Sequence, residues 1–179
     1  SKTVCIFFPH NEAEREKQNT EPLQLSNGAF IPCVERTIYL GQTITSSLSD
    51  AAHISIRSSK GAQVFGALGP HLLRCSYVWK EVKRMIFESM IIPTMLDGVE
   101  CCVVTAGMME EMTTVFHRLV RSALHITPYT QRKHKLTSEE LLERIGLKPL
   151  HYYVDLKTLA HAGHVERMGR ERLPKLVRD

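Results

Sequence analysis

The hydrophobic period of this chain changes once, at Ser49-Asp50, and that change bounds the fold. Before it, apolar residues alternate or run together in short stretches punctuated by Asn, Gly and Pro. After it they recur at three- and four-residue spacing over long segments. A period near two belongs to strands and one near 3.6 to helices, because side chains alternate across a strand and return to one face of a helix each turn. The order predicts an α+β fold that is mostly α. A small antiparallel β hairpin or sheet stands at the N-terminus, followed by a bundle of about five or six helices. The expected domains are residues 1–48 and residues 49–179.

Residues 3–8 (TVCIFF) make a strand candidate ended by Pro9. Residues 11–21 are polar, lack periodic apolar residues and read as an exposed loop. Residues 23–25, Ser26-Asn27-Gly28 and residues 29–34 give a hairpin, since Asn-Gly accepts the positive φ values of a type I′ turn. A third strand is expected over residues 37–45, TIYLGQTIT. Gly41 inside it marks a bulge or a place where another backbone or a ligand comes close. Alternation puts Ile38, Leu40 and Gln42 on one face and Tyr39 and Gly41 on the other.

Asp50 caps a first helix on which Ile54, Ala62, Phe65, Leu68 and Leu72 fall near helical spacing. Gly61, Gly66 and Gly69 weaken it, and Pro70 ends or bends it. A second helix spans residues 79–92, with Val82, Met85, Ile86 and Met90 as its apolar stripe and Lys80, Lys83 and Arg84 as its basic face. Pro93 kinks or breaks it. Residues 94–104 are nearly all apolar apart from Asp97 and Glu100, so they are expected to be buried. Thr105 caps a helix whose Met109, Met112, Phe116, Leu119, Val120, Ala123 and Ile126 face the core, leaving His117, Arg118 and Arg121 off that stripe. Residues 127–136 (TPYTQRKHKL) read as a basic loop. Thr137-Ser138-Glu139-Glu140 is a capping box, and Gly146 stops the helix it opens. Pro149 begins the last long helix, with Tyr153, Leu156, Leu159, Ala160 and Gly163 on its packed side.

Catalytic machinery is hard to find. The chain has only four Asp, none adjacent, and no pair flanked like a two-metal site. Asp97 and Glu100 share a helical spacing, but such carboxylates more often cap a helix or meet a core Arg than serve as an acid–base pair. His161 and His164 stand three apart without further ligands at zinc-binding distance. The five Cys form no CxxC pair and are odd in number, which points to a reducing compartment with buried thiols rather than a disulfide framework. An intracellular location, nucleus or cytoplasm, follows as the expectation. Glycines 61–69 lack the strand and Lys-Ser/Thr of a phosphate loop, and no G-x-S-x-G elbow occurs. No run of 18 apolar residues exists to span a membrane, and the first ten residues are too short of apolar length for a signal core. Opening on Ser and passing at once into a strand-like run, the chain is expected to be a piece of something longer.

Charge gives the positive signal. Residues 1–114 hold 10 Lys or Arg against 12 Asp or Glu, and residues 115–179 hold 13 against 7. A basic second half fits a polyanionic partner, although a basic helix is often only a solvated face. Lys80, Lys83, Arg84, Arg118, Arg121, Arg132, Lys133 and Lys135 are the candidate phosphate contacts. Tyr77, Trp79 and Tyr129 are candidates for base stacking, with a structural role the commoner outcome for each.

With those elements in order, the chain resembles the C-terminal part of the reverse transcriptase of LINE-type (non-LTR) retrotransposons. Lys2-Thr3-Val4 is similar to the Lys-Thr that follows the catalytic strand and its helix in the palm. Ile38-Tyr39-Leu40-Gly41 looks like the Tyr-Leu-Gly strand of the primer grip. Asp50, Ile54, Arg57, Ala62, Phe65 and Leu68 resemble the first thumb helix. Leu96-Asp97-Gly98-Val99-Glu100 is similar to a Leu-Tyr-Gly-x-Glu segment, with Asp97 departing from the usual Tyr. Phe116-His117-Arg118 with Arg121, then Glu140-Leu141-Leu142-Glu143-Arg144-Ile145-Gly146 and Gly163-His164-Val165-Glu166-Arg167-Met168, look like the later segments. The resemblance covers nearly the whole chain. It rests on the order and spacing of motifs that are each weak alone.

The resemblance implies an end-of-palm piece with primer-grip strands over residues 1–48, and a helical thumb with its connecting region over residues 49–179. Lys2, Tyr39, Leu40 and Gly41 then join the basic residues as nucleic-acid contacts. The implied partner is an RNA/DNA template-primer duplex, together with the fingers and palm that would lie upstream, and with no membrane. The implied catalytic carboxylates also lie upstream of Ser1. This chain then carries no catalytic residue, no metal ligand and no cofactor of its own. Mg²⁺ is expected only for the complete polymerase, and the chain is not expected to be active alone. The alternative is a retroelement-derived, non-catalytic nucleic-acid-binding or structural module of a ribonucleoprotein. A plain helical adaptor is the third reading. A Tyr/Phe-x-Asp-Asp strand encoded upstream would favour the polymerase fragment over the module.

Overall fold

A computed structural model describes residues 3–9 and 23–169. The chain divides into two compact units, Ser1–His53 and Ile54–Asp179. The division falls inside a helix, α1 (Ala51–Leu68), where the sequence pattern had placed it ahead of that helix. The fold is mostly helical, with two small antiparallel strand pairs before the helices.

In the first unit, β1 (Leu23–Gln24) pairs with β2 (Phe30–Ile31). The Gly28 amide donates to Leu25 O at 2.9 Å, Gly28 takes φ +81°, and the Asn27 side chain accepts from the Ala29 amide. Only the glycine has positive φ. The Asn-Gly signal therefore marks a type I turn followed by a left-handed Gly, not the expected type I′ turn.

The expected third strand is itself a hairpin. β3 (Arg36–Tyr39) turns back as β4 (Gln42–Thr45), with Tyr39 opposite Gln42 and Ile38 opposite Thr43. Leu40 and Gly41 form the two-residue loop at φ +48° and +85°. Both values are positive, as a type I′ turn requires, so the type I′ turn sits here rather than at Asn27-Gly28. Gly41 is a turn residue and not a strand glycine. The Thr43 amide donates to His53 Nδ1 at 3.2 Å in a buried setting, which docks the start of α1 on β4. Cys5 bridges to Cys33 in parallel fashion, so the strand expected over residues 3–8 is a single bridge.

The second unit holds the core. Ser49 Oγ accepts from the Ala51 amide as α1 begins. A π-helical turn, Gly69–Leu73, follows α1 and contains Pro70. The next helix is α2 (Lys80–Ile86), continued through a π-helical stretch, Phe87–Ile91, into α3 (Ile92–Met95). Pro93 does not break this run. Proline lacks an N–H and crowds the carbonyl one turn back, and the wider π turn just before it absorbs both effects. A 3₁₀ turn (Val99–Cys101), α4 (Ala106–Ala123), α5 (Pro128–Lys133), α6 (Ser138–Ile145) and α7 (Leu150–Glu166) complete the unit. Residues 127–136 are not a loop throughout. Thr127 Oγ1 accepts from the Thr130 amide and Pro128 takes the first turn, which together start α5.

Phe65, Phe87 and Phe116 meet at the centre with ring centroids 6.0 and 6.1 Å apart. Burying each contributes roughly 2–3 kcal/mol. The Met stripe of α4 packs as expected, with Met112, Phe116, Leu119, Val120 and Ala123 buried. Two other stripes do so only through Ile86 and Tyr153. On α2 the inward face is Lys83, Phe87, Ile91 and Met95, while Val82, Met85 and Met90 are exposed. The inward row runs at four-residue spacing from Lys83 through Phe87 and Ile91 to Met95, one position off the row that begins at Val82. On α7, Leu150, Val154 and Val165 are buried, and the expected Leu156 and Leu159 are exposed. Residues 94–104 are buried only in part, since Met95, Leu96 and Val99 are inside and Val103 is exposed. Among the described residues, no helix is long and apolar enough to cross a membrane.

Candidate nucleic-acid interface

The capping residues set where the charged side chains stand. Thr105 accepts from the Met108 amide and starts α4. Thr137 and Glu140 exchange the two bonds of a capping box, at 3.1 and 2.8 Å, and start α6. Gly146 ends α6 at φ +80°, and the helix that follows begins at Leu150 with Pro149 as its cap. The Arg84 side chain lies so close over Gly146 that an added Cβ would stand 3.2 Å from Arg84 Cδ.

Lys83 does not reach the surface. It is 6% exposed, and its ammonium donates to Ala123 O at 2.9 Å, where α4 ends. Burial pushes its pKa below the ordinary lysine value, with Cys75 acting weakly in the other direction. The C-terminus of a helix carries unsatisfied carbonyls and partial negative charge, which makes Lys83 a buried cap rather than a phosphate contact.

The other basic residues are reachable to different degrees. Lys80 is exposed beside Glu81 at 4.0 Å, and Arg84 is paired loosely with Glu88 at 3.8 Å. Arg121 is half-buried, and its guanidinium donates to Gln131 Oε1 at 3.4 Å, tying α4 to α5. Arg132 is exposed, and its Nε donates to Pro128 O. Lys133 and Lys135 are exposed, the latter at φ +51°. Arg118 is exposed one turn before Arg121 on α4, at an open cleft of about 310 Å³ shared with Ser55, Ser58, Ser59, Gln63 and Glu111. That serine row, at helical spacing on α1, is legible in the sequence but was not singled out. Ser58 is buried and its hydroxyl has no hydrogen-bond partner among the described residues.

The three aromatics expected to stack on bases all stand outside the core. Tyr77 is 76%, Trp79 77% and Tyr129 69% exposed. Trp79 directly precedes Lys80. Tyr129 lies one turn before Arg132 and Lys133 on the short helix α5. In the first unit, Tyr39 and Leu40 are exposed at the tip of the β3–β4 hairpin, with Gly41 beside them. Lys2 lies outside the described residues.

The acidic candidates are otherwise engaged. Asp97 meets Arg57 at 2.5 Å, and Glu100 meets Lys157 at 3.1 Å while the same ammonium donates to Leu96 O at 2.7 Å. Each carboxylate holds a separate helix contact, so the two do not form an acid–base pair. Among the described residues no three His, Cys, Asp or Glu gather to hold a metal ion, and none fits the Mg²⁺ pair that a complete polymerase would use. None of the five thiols is in a disulfide, and none is fully buried, contrary to expectation.

No protein-family model, curated protein or solved structure matches this chain.

Proposed function

We propose that the chain is the primer-grip and thumb portion of a LINE-type reverse transcriptase, which holds a template-primer duplex without extending it. One observation carries the reading: Trp79 is exposed directly before exposed Lys80, and Tyr129 is exposed one helical turn before exposed Arg132 and Lys133, with Tyr77 exposed as well. Large aromatics are otherwise drawn into a core, where each would bury 150–250 Å² on the usual scale. Held in water next to Lys80, Arg132 and Lys133, they offer flat faces for bases while the cations meet phosphates. That combination is tolerant of sequence and suits a protein that tracks a nucleic-acid backbone. The turn at Leu40-Gly41 supports the primer-grip part of the reading. A glycine at the tip of a hairpin lets a backbone approach without meeting a Cβ. Mg²⁺ chemistry belongs to residues upstream in this reading, and these residues bind and orient only.

Trp79→Ala tests it directly. The variant should bind an RNA–DNA duplex more weakly by about 1–3 kcal/mol, on every sequence tried alike. Binding equal to that of the parent would remove the aromatic face from the account. The chain should also give no primer extension with Mg²⁺ above a blank. Extension would contradict both the site assignment and the resemblance.

A further inference from the structure

Cys5 and Cys33 lie opposite one another on neighbouring strands. The Cys5 amide donates to Pro32 O at 3.0 Å, and the Val34 amide donates to Cys5 O at 2.9 Å. These two bonds straddle Cys33, which is the pattern of a parallel bridge, and they put both side chains on one face. Both thiols are half-buried and free. Adjacent strands stand about 4.8 Å apart, inside the Cα separation of roughly 4.4–6.8 Å that a disulfide spans. No other described thiol is so placed. Cys75 donates to Pro70 O and Cys102 to Gly98 O, while Cys101 next to Cys102 could bond it only through a strained ring across one peptide unit.

We propose that Cys5 and Cys33 are an oxidation site at which a peroxide forms a reversible disulfide, tying residues 3–9 to the segment that leads into β3. The atoms balance without a further reactant. One thiolate sulfur attacks a peroxide oxygen, the O–O bond breaks, and the departing hydroxide takes up a proton to leave as water. The second thiolate attacks the resulting sulfenic sulfur, the S–O bond breaks, and a second water leaves. Two thiols are oxidised, and one peroxide is reduced. Burial and the neighbouring Cys5 both raise the pKa of Cys33. The bond closes a loop across the whole stretch between the two cysteines, which restricts the unfolded chain more than a short loop would. This inference is independent of nucleic-acid binding.

The test uses the whole chain, reduced, treated with one equivalent of hydrogen peroxide, alkylated and digested with trypsin without reductant. The cleavage sites leave Cys5 on residues 3–15 and Cys33 on residues 18–36. The expected result is these two peptides joined, two hydrogens lighter than their sum, and separated by dithiothreitol. Cys75, Cys101 and Cys102 should be recovered alkylated. Cys33→Ser should yield no joined pair. Recovery of Cys5 and Cys33 as separate alkylated peptides would overturn the proposal, as would Cys101–Cys102 or intermolecular bonds forming in their place.

Discussion

His117 shows how much a single side chain owes to its neighbours. It is half-buried on α4, with Arg121 one turn further along. Burial lowers its pKa below 6.5, Arg121 lowers it further, and Glu139 opposes them. A base whose pKa is lowered by folding holds fewer protons in the folded state. Between that lowered value and 6.5 the unfolded chain binds more protons, so stability rises with pH through the window. Taking the protein from pH 7.5 to 5.5 should therefore lower its urea midpoint, and His117→Asn should shrink the drop. An equal drop in parent and variant would contradict this assignment. The sequence placed His117 off the apolar stripe, which is correct as far as periodicity reaches. It could not show Lys83 buried, because a lysine next to Arg84 on a helix reads as a solvated face. What takes Lys83 inside is the carbonyl of Ala123, forty residues away. Local pattern carries no record of such a partner.

At the scale of elements, most starts and stops were legible, because caps are local chemistry. Thr105, Thr137 and Gly146 act where their types and spacings say they should. Faces were less legible. The inward row starts at Lys83, which reads as outward, so the count began one residue early at Val82 and chose Met85 and Met90 over Phe87 and Ile91. The TIYLGQTIT run shows the opposite error. Its β-branched residues are indeed in strands, but the two middle residues turn, and Leu40 accepts a left-handed φ that costs a branched or bulky residue about 1–2 kcal/mol. Gly61 was read as weakening α1. In the structure it is a close approach, since a Cβ there would stand 2.1 Å from Met95 Cγ. Gly61→Ala should destabilise the protein by about 1–3 kcal/mol despite the better helix propensity of alanine. The double change with Met95→Ala should couple, losing less than the two single changes summed. Additive losses in urea melts would show that the two positions do not touch.

For the whole molecule, the fold class was readable because the change of period near residue 50 is a property of long segments rather than of any one residue. Each unit carries candidate contacts of its own: a hairpin tip with Tyr39 and Leu40 in one, exposed aromatics with Lys and Arg in the other. Charge is what the second unit offers, because residues 115–179 carry an excess of six positive charges, 13 basic against 7 acidic. Lys83 leaves the list of phosphate contacts and Arg121 is partly committed to Gln131, so the weight falls on Lys80, Arg84, Arg118, Arg132, Lys133 and Lys135. Each phosphate neutralised by such a residue releases counterions, and the logarithm of the binding constant falls by about 0.9 per contact for each unit of log salt on duplex DNA. The most direct measurement is a titration of the chain against an RNA–DNA duplex at low and at high salt. The account predicts tight binding at low salt that weakens steeply and linearly on the logarithmic scale, with little dependence on sequence. No binding at low salt, or binding indifferent to salt, would contradict it.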